Sequence, residues 1–281
     1  ALVVKDMSRM ASVGLLVMEI LGLDVDGARK LLFSSPTVLV GSISANTVNA
    51  LKRRFQPLDV ELDVSRPEEA LFDIFLGDCP PSDRAKVENL LKKYRIPMVE
   101  DAGKEKLPVL ALGLSKAQAD QVWHRLLRYN LPVRVVNRDY QRYDMVLEES
   151  PASKDMIEFL TDTTGMPEEV ALKVTQQTPI VTHQNIRFDE MTEYLEAITL
   201  LEGRASSHLL LFQTFSLVLE EMGDKETTSE LLQAIGGLES GQAFEVMNKT
   251  HRVEGPLSKP RARWLQWELR EVGTEAKMVL R

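Results

Sequence analysis

The chain has 281 residues, with 34 basic and 42 acidic side chains and a formal net charge of −8, which argues against a general polyanion binder. Apolar residues make up 44% and charged residues 27% of the chain, which is ordinary for a soluble globular protein. A single cysteine, Cys79, excludes an internal disulfide and a cysteine-ligated metal cluster. No apolar run approaches the roughly 20 residues that span a bilayer. We therefore expect a cytoplasmic protein that does not enter the membrane.

The sequence repeats itself about every 71 residues. The segment at 72–76 (FDIFL) recurs at 143–147 (YDMVL), and a shorter version at 2–6 (LVVKD) opens the chain. A fixed period indicates one supersecondary unit that is used several times. Because the first copy begins within its strand, we expect further residues upstream of Ala1.

The first copy, residues 1–66, contains six predicted elements in the order strand, helix, helix, strand, helix, strand. Gly22 is suited to end the first helix in a left-handed turn, and Ser44 is suited to cap the third. The six elements are predicted at 2–5, 13–21, 28–32, 37–40, 44–55 and 60–64.

The second copy, residues 67–139, has the same order except that a charged loop at 100–106 replaces its second short helix. Its strands are predicted at 72–76, 108–112 and 132–136, and its helices after Pro80 and Ser115.

The third copy, residues 140–202, is predicted to lose its last strand, because Gly203 stands where that strand would begin. Its elements are predicted from 143 to 147 and at 154–162, 167–175, 179–182 and 188–201.

The remaining residues, 203–281, are predicted to be helical, with helices at 209–222, at 228–235 and after Ser258. The predicted fold is therefore α+β, with tandem βααβαβ modules followed by an all-α C-terminal domain.

The first copy resembles the C-terminal domain of the bacterial ribosomal stalk protein. The resemblance rests on LVVKD at 2–6, EILGL at 19–23, Ala28, Pro36 and VEL at 60–62, which occur in the order and near the spacing of that family. It implies a docking module, without enzymatic activity, that captures translation GTPases through basic residues on its first two helices.

The positions that correspond to those basic residues are Leu15, Met18, Asp26 and Arg29, and only Arg29 is basic. This change argues against GTPase recruitment. An apolar surface there could instead pack against another module or a partner. Leu15, Met18 and Arg29 are therefore candidate partner-binding residues.

Two tryptophans of the C-terminal helix, Trp264 and Trp267, are further candidates for partner binding. Trp and Arg are enriched at interface hot spots, and this helix also carries Arg261, Arg263 and Arg270. The alternative is that both tryptophans belong to the core of the C-terminal domain.

The most basic stretch, residues 124–142, has arginines among tyrosines, a combination that suits stacking on single-stranded nucleic acid. The alternative is a solvated face with ion pairs between modules. The candidate nucleic-acid-binding residues are Arg125, Arg128, Arg134, Arg138, Arg142, Tyr129 and Tyr140.

No pattern in the sequence points to catalysis. The four histidines lie in different segments, and the scattered glycines form no phosphate-binding loop. We therefore predict no enzymatic activity, no cofactor and no metal. The predicted function is a protein–protein interaction adaptor or scaffold component of a larger intracellular assembly. The alternative is an RNA- or ribosome-associated factor that uses the basic stretch.

Overall fold

The computed structural model describes residues 1–34, 38–66, 68–77, 79–99, 109–129 and 133–281. These residues form four small antiparallel sheets, one in each of four successive α+β modules. The predicted charged loop at 100–106 lies outside the described residues.

Module 1 has a two-stranded sheet in which β1 pairs with β2. Its elements are β1 (Leu2–Val4), α1 (Met10–Leu21), α2 (Val25–Leu32), α3 (Ala45–Phe55) and β2 (Val60–Leu62). As predicted, α1 ends at Gly22 with a φ of 65°, and Ser44 caps α3. The strand predicted at 37–40 is not formed over residues 38–40, where Val38 and Val40 are exposed rather than packed against a core; Thr37 lies outside the described residues.

Module 2 has the sheet order β4-β3-β5, with its first strand in the centre. Its elements are β3 (Phe72–Leu76), α4 (Pro81–Lys93), β4 (Val109–Leu114), α5 (Lys116–Arg128) and β5 (Val133–Asn137). All five were predicted close to these positions. The side chains of Ser115 and Gln118 form a capping box that fixes the start of α5.

Module 3 has the equivalent order β7-β6-β8. Its elements are β6 (Arg142–Glu149), α6 (Lys154–Thr164), α7 (Glu168–Gln176), β7 (Ile180–Arg187), α8 (Phe188–Leu200) and β8 (Arg204–Leu209). The prediction that this module lacks its last strand is wrong. Gly203 precedes β8 and does not end the module. It lies close to two side chains of the module, since a Cβ there would lie 2.8 Å from Met156 Cε and 2.9 Å from Ile198 Cγ2.

Module 4 replaces the predicted all-α C-terminal domain, and that prediction is wrong. Its sheet has the order β10-β9-β11. Its elements are β9 (Thr214–Glu221), α9 (Lys225–Ala234), α10 (Ser240–Glu245), β10 (Arg252–Ser258), α11 (Lys259–Glu271) and β11 (Glu275–Leu280). The apolar run predicted as a helix at 209–222 contains β9, a central strand. A short apolar run of this kind does not distinguish a buried strand from a buried helix.

The four modules are grouped in two units, residues 1–63 with 209–281 and residues 64–208. In the first unit, modules 1 and 4 share one hydrophobic core, which includes Val13 and Phe55 from module 1 and Leu217 and Leu265 from module 4. In the second unit, modules 2 and 3 have separate cores around Leu91 and Leu160, respectively. None of the helices in the described ranges has the length and apolar character needed to cross a membrane.

Candidate functional site

An ion pair between a buried aspartate and a partly buried arginine lies within the second unit. Asp73, on β3, is fully buried, and its carboxylate accepts hydrogen bonds from Arg138 Nη2 at 2.6 Å and Arg138 Nε at 3.0 Å. The backbone N–H of Gly113 at 2.8 Å and Gln141 Nε2 at 2.7 Å also donate to it. Four donors therefore replace the water that a buried carboxylate loses.

The same cluster connects module 2 to module 3. Gln141 Oε1 accepts a hydrogen bond from the Tyr143 hydroxyl, on β6, at 2.5 Å. The Arg138 guanidinium also lies over the ring of Phe188, the first residue of α8, at 4.3 Å from the centroid. The Tyr143 hydroxyl is protonated at neutral pH and donates the hydrogen bond to Gln141, and burial raises its pKa further.

The buried aspartate has a counterpart in the next repeat. Asp73 receives the N–H of Gly113 (φ 68°), and Asp144 receives the N–H of Asn185 (φ 60°) at 3.1 Å. In both sheets the pairing register shifts beside the aspartate. Such a bulge leaves a backbone N–H outside the ladder, and the carboxylate satisfies it.

The first unit has a different connection between its modules. The ring of Phe33, which follows α2, lies 4.6 Å from the Arg261 guanidinium and 5.7 Å from the ring of Trp264, both on α11. Arg261 Nε also donates to the carbonyl of Ile235 at 2.5 Å, and Ser258 Oγ donates to the carbonyl of Phe33. Aromatic and cationic side chains of module 4 therefore hold the end of α2.

The five predicted partner-binding residues differ in how far they are exposed. Leu15 is 67% exposed on α1, whereas Met18 is half-buried against the shared core. Arg29 lies 4.0 Å from Asp26 in an ion pair on α2. Trp264 is only 8% exposed and donates its indole N–H to Glu268, and Trp267 is half-buried against the same core.

The predicted basic stretch is divided between the interior and the surface. Arg138 belongs to the buried cluster, and Arg142 is buried with Nη1 donating to the carbonyl of Gln141 at 3.2 Å. Arg134 is exposed on β5, and Tyr140 is half-buried. The three remaining candidates, Arg125, Arg128 and Tyr129, are exposed together at the end of α5.

Sequence analysis missed three residues that lie beside these at the end of α5: Trp123, His124 and Leu127. All three are exposed, with Leu127 at 56% and Trp123 at 37%. Helical spacing from the buried positions Ala119, Val122 and Leu126 could have placed them on the outer face. We call the six residues from Trp123 to Tyr129, without the buried Leu126, the α5 surface.

Module 4 contains a cleft of about 570 Å³ between α10 and β10. Two acidic and two basic side chains line it, Glu245, Glu254, Arg252 and Arg261. Arg252 lies 3.7 Å from Glu254, and Arg252 Nη2 also donates to Ser216. These charges balance, so the cleft has no strong preference for an anion or a cation.

A buried histidine in module 3 has an unusual environment. His183 Nε2 lies 2.8 Å from Thr163 Oγ1, and its ring centroid lies 4.7 Å from that of Tyr194. Burial lowers the pKa of His183 to about 4, so the ring is neutral at physiological pH.

Across the described ranges, no three His, Cys, Asp or Glu side chains are grouped as a metal site. The chain matches no family model, no curated protein and no solved structure.

Proposed function

We propose that this protein is a non-catalytic adaptor or scaffold component that binds other proteins through its α+β modules. The observation that carries the proposal is the shared core of modules 1 and 4. Although they lie at opposite ends of the chain, these two modules bury apolar side chains together and are joined by Phe33, Arg261 and Trp264. Module 1 therefore offers an apolar face against which another module of the same chain packs, and this packing supports the proposal.

The contact between modules 2 and 3 supports the same proposal with different chemistry. There the recognition is polar, through Asp73, Arg138 and Gln141. A module that can be joined to another by an apolar core or by a charged cluster is a versatile unit for assembling proteins. We assign the remaining exposed faces of the modules to contacts with partner proteins.

Affinity purification of the full chain from its native lysate tests this function. We expect at least one protein to co-purify in a fixed stoichiometric ratio, measured by quantitative mass spectrometry and confirmed by light scattering of the eluted complex. A folded chain that elutes alone, or with only trace amounts of chaperones, would contradict an adaptor role.

A second candidate is an RNA-associated factor, and the observation that favours it is the group formed by Arg125, Arg128 and Tyr129. It predicts salt-sensitive RNA binding that Arg125→Glu with Arg128→Glu abolishes. Arg138 is unsuitable for this test, because its substitution would leave the buried carboxylate of Asp73 without its charged partner and destabilise the protein.

A further inference from the structure

We propose that the α5 surface is the docking site for an acidic amphipathic segment of a partner protein. This inference rests on the proposed adaptor function and adds the place and the chemistry of one partner contact.

The α5 surface consists of three side-chain pairs at i, i+4 spacing, which places each pair on one face of the helix. Trp123 with Leu127 forms an apolar row, His124 with Arg128 forms a row beside it, and Arg125 with Tyr129 continues around the helix. Tyr129 is 61% exposed. Around the last two turns of α5 the apolar row is thus bordered by a row with a cationic side chain, the arrangement that an amphipathic acidic segment complements.

The charge of this surface is unbalanced. The side chains of Arg125, Arg128 and His124 make no hydrogen bond or ion pair with any residue that the structure describes. Elsewhere on the surface, exposed arginines such as Arg54 and Arg204 pair with carboxylates at 2.8 Å and 2.5 Å. On a chain with a net charge of −8, a cationic surface that pairs with none of the described carboxylates selects an acidic partner.

The apolar row favours a protein over a nucleic acid. Leu127 offers no stacking face or phosphate donor, but it can pack against a leucine or phenylalanine of a partner. Two further arginines that would extend a phosphate-binding track are withdrawn from it: Arg142 is buried, and Arg138, whose side chain is 18% exposed, is paired with Asp73. The remaining combination of Trp, Tyr and Arg is the composition of protein interface hot spots.

The corresponding helix end of module 1 provides a matched control. Lys52 and Arg53 lie in the last turn of α3 and are exposed, whereas the aromatic residue of that turn, Phe55, is buried. The substitutions Lys52→Glu with Arg53→Glu change the net charge by the same amount as Arg125→Glu with Arg128→Glu. They also place the same unfavourable charge at a helix C-terminus.

The test uses the full chain and three fluorescent probes: an amphipathic peptide with Asp and Glu on one face and Leu and Phe on the other, the same peptide with Asn and Gln in place of the acids, and a single-stranded oligouridine. Fluorescence anisotropy at low salt measures binding to the native chain and to three double variants. These are Trp123→Ala with Leu127→Ala, Arg125→Glu with Arg128→Glu, and the module 1 control. Thermal unfolding confirms that each variant is folded.

We expect the acidic peptide to bind the native chain and the module 1 control equally. Each of the two α5 variants should weaken that binding by about tenfold or more, and the Asn/Gln peptide should bind the native chain weakly. Equal binding by native and α5-variant chains, no binding of the acidic peptide, or binding of oligouridine alone would each overturn the proposal. If stoichiometric partners of the lysate still bind the α5 variants, the adaptor function stands and only this surface is wrong.

Discussion

The guanidinium of Arg138 donates two hydrogen bonds, at 2.6 and 3.0 Å, to the fully buried carboxylate of Asp73. Since Arg138 also lies over the ring of Phe188, one side chain connects the first strand of module 2 to the first residue of α8 in module 3. Arg138 therefore has a structural role and is not part of an exposed basic surface, although it belongs to the basic stretch of the sequence.

Removal of the Arg138 side chain should destabilise the protein strongly. Arg138→Ala leaves Asp73 buried with half of its donors, and breaking a buried pair costs about 3–5 kcal/mol in the free energy of unfolding. Urea unfolding, followed by circular dichroism, measures the loss. Arg204→Ala is the control, because it removes an exposed arginine from an exposed carboxylate, Glu149, and should leave the unfolding midpoint nearly unchanged. Equal effects of the two substitutions would show that burial of the Asp73 pair is energetically unimportant.

Gly237→Ala should weaken the contact between modules 4 and 1. Gly237 has a φ of 69°, and a Cβ there would lie 2.2 Å from Arg261 Nη2, so the guanidinium would be displaced from Phe33. We expect a loss of about 2 kcal/mol in the free energy of unfolding. Gly241→Ala, in α10, meets open space and should be neutral or stabilise by up to about 1 kcal/mol. A neutral Gly237→Ala variant would contradict the tight contact with Arg261.

The buried imidazole of His183 should make the protein less stable in mild acid. The pKa is about 4 in the folded state, below the ordinary value of 6.5, so between these pH values the unfolded state binds the proton. The stabilising effect of a neutral His183 is complete above pH 6.5 and is lost as the pH falls toward 4. The slope is at most about 1.4 kcal/mol per pH unit. His183→Gln should flatten this part of the profile of unfolding free energy against pH, and an unchanged profile would refute the assignment.

Among the strands in the described ranges only β2 pairs with β1, and the other edge of β1 should be visible in amide hydrogen exchange. Ala1 and Asp63 exchange both backbone hydrogen bonds, so by antiparallel alternation Val3 faces β2 while the N–H of Val4 points to the other edge. In modules 2, 3 and 4 a further strand pairs on that edge of the first strand. We expect the Val4 amide to exchange much faster than the Val3 amide, measured by NMR. Equal protection of both would mean that a strand pairs on this edge.

Most individual elements were predictable because their signals are local. The helix end at Gly22, the cap at Ser44 and the helix that starts after Ser258 depend on residues within one or two turns, and each is confirmed. The fourth module also had a local signal that was not used: 215–219 (FSLVL) lies one repeat length after 143–147. Its apolar character alone suited a helix, and only its pairing with β10 and β11 made it a strand.

The candidate site was less predictable, because the exposure of a charged or aromatic side chain depends on distant residues. Arg125 and Arg138 have the same side chain in the same basic stretch. Arg125 is exposed on α5, whereas Arg138 forms an ion pair with the buried Asp73, which lies 65 residues away in sequence. Trp264 is likewise covered by Phe33, a residue of the first module.

The sequence by itself determined the repeating unit, since strand, helix and turn signals act over a few residues and recur at a fixed period. Tertiary structure decided which modules are joined. The shared core of modules 1 and 4 and the Asp73–Arg138 pair both depend on burial, which removes water from groups that are far apart in the chain. Because one face of α5 is buried, Arg125, Arg128 and Tyr129 of the basic stretch are left together on its exposed side.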